Sequence, residues 1–516
     1  MRELNSQEAV FSKSSVTLLK FHGMYQQDNR DLRKTGAKVH SFMVRVGIPG
    51  GRLSPAQYLE LDRLADAVGD GTLRITSRQD IQYHYVGKHD LRTLIQALDR
   101  IRLTTLAACG DVVRNVTHCA APLPDVRREQ VWPYVLELSR ALKPKTNAYA
   151  EIWIDGERAV SLEEEADELY GETYLPRKFK IGFAFAGDNT TDVYANDLGA
   201  VAHFDGAELA GFTILAGGGL GQSNGVKASH PRLADPVCFV RPAELVAAAK
   251  AIVAIHRDHG NRSNRKLARL KYVLEAWGLE RFRAELAARL GTPLTPPRDL
   301  TWHRADDYLG WHRQSDTEWF YGLRVINGRL AGEQRRRVRE LLAAHGYEVR
   351  LTVQQNLLLA GIRDPAAVER ALQPAALPPV LHHSMACPAL PTCGQALTEA
   401  ERVLPEIAEA LQAAWDRAGL GAEAVRVRVT GCPNGCARPY TAEIGIVGQS
   451  VDLYSIYAGG SPLGTRLATL LAHNVRRGEI AGRLEPLFAA YAAGRAPGES
   501  FGDWAARRGE LFREVA

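Results

Sequence analysis

The stretch PGGRLSPAQYLELDRLADAVGDGTLRITSRQDIQYHYV, Pro49 to Val86, returns in altered form as INGRLAGEQRRRVRELLAAHGYEVRLTVQQNLLLAGI, Ile326 to Ile362. Each copy reads as a strand, a turn at Gly-Arg-Leu, an amphipathic helix, a second turn and a strand that alternates or runs apolar. Arg52-Leu53 falls over Arg329-Leu330, and Thr76-Ser77-Arg78-Gln79 falls over Thr352-Val353-Gln354-Gln355. The correspondence continues beyond the unit. CGDVVRNVTHCAAP (Cys109 to Pro122) follows the first copy as CPALPTCGQA (Cys387 to Ala396) follows the second. A glycine-rich turn after an apolar strand also recurs, as FTILAGGGLG (Phe212 to Gly221) and LYSIYAGGSPLG (Leu453 to Gly464). A repeat on this scale constrains the fold before any single residue does. The chain is read as a duplication whose halves are related by a pseudo-twofold, an arrangement that can close around one central ligand at the interface.

Between the halves, Arg265 to Leu286 reads as an amphipathic helix and Leu290 to Leu300 as an extended proline-rich linker. After Cys393 the run EAERVLPEIAEALQAAWDRAG has helical period, with Pro405 as an expected kink. Thr392 and Gln395 have capping-box spacing, which places Cys393 in the first turn of that helix. A helix N-terminus favours negative charge and would suit a thiolate-rich site.

At 516 residues the chain exceeds one core, and ~150 residues per domain suggests roughly three. Its 46% apolar and 24% charged residues are those of a folded enzyme, and a formal charge of +5 does not indicate a bulk nucleic-acid binder. Arginine outnumbers lysine, which favours planar recognition of carboxylates or other oxyanions. No apolar run approaches the ~20 residues that span a bilayer, and the opening MRELNSQEAVFSKSS has no apolar signal core. Seven cysteines is an odd, low count for a secreted disulfide framework, so a reducing cytoplasm is expected.

Four of those cysteines form two tight pairs, Cys387 with Cys393 and Cys432 with Cys436, separated by 38 residues. Packing explains Cys238 in DPVCFV, and two pairs bounded by proline and glycine less readily. The glycines of GCPNGC let the backbone turn around a ligand, and Pro433 fixes part of that turn. Structural zinc prefers two to four residues between paired cysteines, so C-x5-C fits it poorly. An iron–sulfur cubane needs four thiolates and tolerates varied spacing. Spacing favours the cubane and leaves both open. AGGGLGQSNG follows a strand, but its glycines do not make G-x-G-x-x-G and no acidic residue closes a dinucleotide-binding unit.

With these residues in view, the chain resembles the siroheme-containing sulfite/nitrite reductase family. The resemblance is carried by HSMACPALPTCGQALTEAERVLP, VTGCPNGC, LKFHGMYQQDNRDLR, AYAEIWIDGE, ETYLPRKFK and TVQQNLLLAG, and spans His22 to Trp504. LKFHGMYQQD and AYAEIWIDGE are more similar to the sulfite branch. The resemblance implies an α+β, internally duplicated fold. Its parts are an N-terminal arm (1–40), a first ferredoxin-like repeat (41–106), a first siroheme/iron–sulfur-type domain (107–255), a helical linker (256–318), a second ferredoxin-like repeat (319–383) and a second, cluster-ligating domain (384–516). It implies a siroheme whose iron shares one thiolate with a [4Fe-4S] cluster. By motif position the cluster ligands are Cys387, Cys393, Cys432 and Cys436, with Cys436 the bridging one.

The family's substrate-binding cations map onto Arg45, Arg114, Lys178 and Lys180, and on a strand the two lysines would point to one face. Siroheme carries a ring of carboxylates and needs a basic seat. Arg74, Arg78, Gln82, Arg177, Gln355 and Asn434 are the residues carried over to it. Arg78 aligns with Gln354, so only one half keeps a cation there. Val113 stands where the compared subunit has asparagine, and the comparison gives Cys109 and Cys119 no role beyond packing. The implied activity is six-electron reduction of sulfite to sulfide in assimilatory sulfur metabolism. The alternatives are a ferredoxin-dependent nitrite reductase and a non-catalytic zinc module. With no flavin or nicotinamide domain in the sequence, electrons must come from another protein, a flavoprotein subunit or a ferredoxin.

Overall fold

The computed structural model describes residues 3–36, 38–145, 151–154, 157–161 and 167–509. Within AYAEIWIDGE, Glu151–Ile154 pairs antiparallel with Glu157–Ser161, and residues 148–150, 155 and 156 lie outside the described residues.

The two repeats build two five-stranded antiparallel sheets that exchange an edge. In the first sheet Met24–Asp28, His40–Val46, Ile81–Val86 and Leu73–Ile75 are completed by Arg329–Leu330 from the second half. In the other, Gly310–Arg313, Trp319–Leu323, Leu357–Ile362 and Glu348–Leu351 are completed by Arg52–Leu53 from the first. The registers mirror one another: Arg329 pairs with Arg74, and Arg52 with Arg350. Gly51 and Gly328 lead into the exchanged strands at φ +76° and +71°, where a Cβ would meet Leu351 O at 2.5 Å and Ile75 O at 2.3 Å. Only glycine lets the halves cross this closely. One apolar core serves both repeats, joining Leu53, Leu61 and Ile75 to Leu330, Leu341 and Val349.

Each exchange is locked by arginines and carboxylates. Arg52 meets Glu129 at 2.7 Å and Glu348 at 2.7 Å, and Arg350 meets the same two at 2.9 and 2.6 Å. In the other half Arg74 and Arg329 converge on Glu401 at 3.0 and 2.5 Å.

The larger domains repeat as well. Val113–Thr117, Phe179–Phe185 and Leu198–Asp205 run parallel, followed by antiparallel Glu208–Ala216 and Asp235–Val240. Met385–Ala386, Val427–Thr430, Ile444–Ser450, Leu453–Ala458 and Thr469–Arg476 follow the same order and sense. The Lys180 N–H donates to Asp197 Oδ2 (2.7 Å) just as the Arg426 N–H donates to Glu443 Oε2 (3.0 Å).

Three local expectations are corrected. The expected helix over Arg265–Leu286 is a short 3₁₀ turn, Arg265–Leu267, then Leu270–Trp277 and Leu279–Leu290, because Gly278 at φ +74° breaks it. Thr392 and Gln395 do not cap a helix. Leu397 and Thr398 instead give their N–H groups to Gly431 O, and the helix starts only at Leu404. Cys393 therefore sits in a turn, and Pro405, expected as a kink, lies in the first turn, where its missing N–H costs nothing.

Candidate active site

A cleft open to solvent lies where the two halves and the linker meet. The first half contributes Ser77, Arg78, Arg177, Lys178 and Lys180. The second contributes Asn434, Gly435, Cys436 and Arg438, and the linker Arg265, Lys266, Arg269 and Lys271. Among the described residues its lining holds nine arginines and lysines against one carboxylate, Asp192. That carboxylate is already taken, by Arg428 at 3.0 Å and Arg438 at 2.5 Å.

The positions follow from the repeat. The turn after Ile75 and the turn after Leu351 fold alike: Thr76 Oγ1 accepts from Asp80 N (3.1 Å), and Thr352 Oγ1 from Asn356 N (3.0 Å). Gln79 and Gln355 hold the matching left-handed corners at φ +58° and +69°. In the first half this turn delivers Arg78 to the cleft and lets Ser77 Oγ donate to Cys436 O at 3.0 Å. In the second half the aligned Gln354 instead accepts from Arg438 Nη2 at 2.7 Å. The glycine-rich turn closes on the cysteine loop, with Gln222 N donating to Pro433 O at 2.9 Å.

Burial lowers the pKa of several of these cations. Lys178 is brought down to about 8, chiefly by desolvation and then by Arg177 beside it. Lys180 falls well below the usual lysine value for the same first reason, reinforced by Lys178. Arg78 is lowered to about 9 by burial, yet donates to Asn196 Oδ1 (2.6 Å), Asn115 O (2.5 Å) and Ile181 O (2.6 Å). Arg45 and Arg114 lie behind this front and share one acceptor, Ala108 O, at 3.2 and 3.1 Å. Gln82, opposite Arg45 in the sheet, accepts from its Nε and Nη2 at 3.1 and 2.6 Å in the amide orientation that satisfies both. Cys109 and Tyr25 also face Arg45.

The four paired cysteines gather at one end of the cleft. Cys387 and Cys432 are buried, Cys393 is half-buried and Cys436 is exposed to the cleft. Burial and the neighbouring thiols push Cys432 up to about 12 and Cys387 well above the usual thiol value, the environment of groups that need a metal to ionise. Among the described residues no three Cys, His, Asp or Glu side chains converge on a point as a single ion would ask. A cubane gives each thiolate its own iron and fits this looser set.

Two of the sequence-assigned residues lie elsewhere. Arg74 is 1% exposed, away from the cleft, and donates to Glu401, Ile75 O and Ala386 O. Gln355 is buried with no donor on its Oε1. Cys119 stands in the first half where Cys387 stands in the second. There Asp188 accepts from Arg128 Nη2 (2.7 Å) and Tyr308 OH (2.6 Å), with the thiol 3.9 Å away. Nothing in the sequence pattern marks Arg438, Arg269 or Lys271 as cleft residues; Arg269 and Lys271 sit in a segment read only as helix, and Arg438 just past the cysteine loop.

A model of the nitrite and sulphite reductase 4Fe-4S domain matches residues 138–294, and one of the nitrite/sulfite reductase ferredoxin-like half domain matches both 35–101 and 312–373. The "sulfite reductase [NADPH] hemoprotein beta-component" of Chromohalobacter salexigens is 45% identical, over 98% of this chain and 91% of that one. Its counterpart in Shewanella pealeana is 42% identical, over 97% and 92%. The chain belongs to the nitrite and sulfite reductase family. The solved structure of the Mycobacterium tuberculosis NirA protein shares the fold at a TM-score of 0.80 and 24% identity, covering 98% of this chain and 93% of that one. Within this family fold the matched 4Fe-4S span lies in the first half and linker, while the four gathered cysteines lie in the second.

Proposed function

We propose that this reductase-family chain reduces sulfite to sulfide, with siroheme seated in the basic cleft and a [4Fe-4S] cluster on Cys387, Cys393, Cys432 and Cys436. The observation that carries the reading is Cys436. It opens into the same cleft as Lys178, Lys180 and Arg78, so one thiolate can serve a cluster behind it and a cofactor in front. When bound, the siroheme supplies the iron that holds the substrate, and the cluster supplies the electron store that feeds it.

The chain's own residues supply the rest. Bisulfite, six electrons and six protons give hydrosulfide and three waters, so each departing oxygen must be protonated while negative charge arrives. Arg45, Arg114, Lys178 and Lys180 are assigned to the anion; their half-buried charges act at reduced dielectric, where fixed cations stabilise more than in water. Lys178, at about 8, can give a proton near neutrality and take it back. Arg78, Arg177, Asn434 and the linker cations are assigned to the siroheme carboxylates, for which bidentate donors are suited. Gln82 orients Arg45, and Arg74 acts on the scaffold through Glu401.

Electrons come from a second protein, and the relatives' description as the β-component of an NADPH enzyme supports a flavoprotein subunit over a ferredoxin. No helix among the described residues is long and apolar enough to cross a membrane, and a reducing cytoplasm suits the free thiols. The test is the absorption spectrum of anaerobically purified protein, with iron and acid-labile sulfide assayed on the same sample. A siroheme spectrum with cluster iron and sulfide is expected; a colourless, zinc-loaded protein that stays so after co-expression with siroheme synthesis would refute the reading.

A further inference from the structure

Asp80 lies within electrostatic reach of three guanidinia of this site, and nothing in the mechanism above uses it. It ends the turn that carries Arg78 and is 1% exposed. The backbone N–H of Ile48 donates to its carboxylate, but Oδ1 has no hydrogen-bond partner among the described residues. Arg45 faces it from the His40–Val46 strand, Arg78 from its own turn and Arg114 from Val113–Thr117. Lys143, beyond the Arg127–Ala141 helix, also feels its charge. Behind Arg45 stand Cys109, Tyr25 and Cys436.

The duplication separates what the fold needs here from what it does not. The aligned residue in the second half is Asn356, whose Oδ1 accepts from Val325 N and Arg324 Nη1, both at 2.9 Å. Val325 is the repeat counterpart of Ile48. A neutral amide therefore meets the backbone demand at this corner, an acceptor for one N–H, while its Nδ2 donates to Asp307, the carboxylate that the linker supplies there. The first half carries a carboxylate instead, with an oxygen left over, beside the cations assigned to substrate. Burial raises Asp80 to about 7, with Arg45 and Arg78 opposing the rise.

We propose that Asp80 is the internal counter-ion of the Arg45–Arg78–Arg114 array: it balances those cations before substrate arrives and takes up a proton when an oxyanion takes its place. It is a positioning residue, and the proposal rests on the anion site described above. Two anions in one buried positive field repel, so a bound oxyanion favours the neutral acid. By reciprocity, protonated Asp80 strengthens anion binding. Affinity accordingly falls as pH rises through the Asp80 titration, by up to about tenfold per pH unit for one linked proton.

The test titrates the holoenzyme with nitrite, an oxyanion that does not itself titrate near neutrality, following siroheme absorption. Asp80→Asn copies the chemistry of Asn356. Lys178 and Lys180 titrate in both proteins, so the readout is the ratio of wild-type to variant Kd. That ratio is expected to rise from about one at about pH 6 to ~10 at about pH 8. A ratio that stays flat, with siroheme and cluster iron retained, overturns the proposal. If Asp80→Asn loses siroheme, infrared difference spectra of the wild type decide. A protonated-carboxyl band that appears with nitrite and shifts with isotope-labelled aspartate supports the proposal, and its absence overturns it. Wild-type siroheme absorption that ignores nitrite at every pH overturns the anion-site reading and this proposal with it.

Discussion

The two strand exchanges allow a controlled comparison, because the same contact is built twice with different burial. Glu401→Gln removes the charge between Arg74 and Arg329; Glu129→Gln does the same between Arg52 and Arg350. Arg74 is 1% exposed and Glu401 13%, so the variant strands a buried guanidinium, a change that costs ~3–5 kcal/mol in buried pairs. Arg329 can fall back on Asp70 at 3.8 Å, which favours the low end, about 3 kcal/mol. In the other half Glu129 is 41% exposed, and Arg52 and Arg350 both keep Glu348. Solvent screening and that second carboxylate limit the loss to ~0–1 kcal/mol. The assay is guanidinium unfolding of the two holoproteins, followed by far-UV circular dichroism and siroheme absorbance, comparing midpoints at equal slope. Glu401→Gln is expected to lower the midpoint clearly and Glu129→Gln hardly. Arg74 also holds Ala386 O at 3.0 Å, beside Cys387, so iron should be lost faster from the first variant. Equal midpoints, or a larger loss from Glu129→Gln, would refute the reasoning.

Other outcomes follow from the same geometry. Arg74 and Arg329 hold Glu401 at about 2, far below the usual 4.5; the stability from this depressed carboxylate is present above about 4.5 and is lost as pH falls towards about 2, a loss that Glu401→Gln should not show in acid-unfolding curves. Lys178→Met should lower kcat by ~10²–10³ with cofactors intact, and wild-type turnover should decline as pH rises through about 8, where Lys178 loses its proton. Cys432→Ser should be purified without its cluster iron, whereas Cys238→Ser, buried in an apolar core, should keep it, as iron and labile-sulfide assays would read. Asp192→Asn should loosen the Cys436 loop, since Arg428 and Arg438 then lose their shared counter-ion, and siroheme should dissociate at least several-fold faster.

Much of the architecture was legible because a duplication writes the same contacts twice. Gly-Arg-Leu reads as a turn in both copies, whereas Arg52–Leu53 and Arg329–Leu330 are the exchanged edge strands, a long-range pairing that one segment's pattern does not encode. The cysteine pairs marked the loops where four thiols gather, but the helix beside them starts later than its spacing suggests. Thr392 and Gln395 had the right spacing for a cap, and the pull of Gly431 O on Leu397 and Thr398 overrode that local preference. Gly278 interrupts a helical period that reads as continuous. Arg74 carries the motif of a cofactor ligand, and in the structure its guanidinium is buried against Glu401, a contact its own segment does not reveal. Asp80 was invisible as a site residue because its role depends on Arg45 and Arg114 from other strands as well as on neighbouring Arg78, and sequence neighbours reveal only the last.

The central claim is that one basic cleft with one adjoining thiolate cluster carries sulfite all the way to sulfide. It is tested most directly by supplying the holoenzyme anaerobically with a counted amount of a one-electron donor and sulfite, and measuring sulfide released. Six electrons consumed per sulfide, with no free intermediate sulfur product, is the expected result. Consumption of donor without sulfide, or release of a partly reduced sulfur product as the end point, would contradict the account.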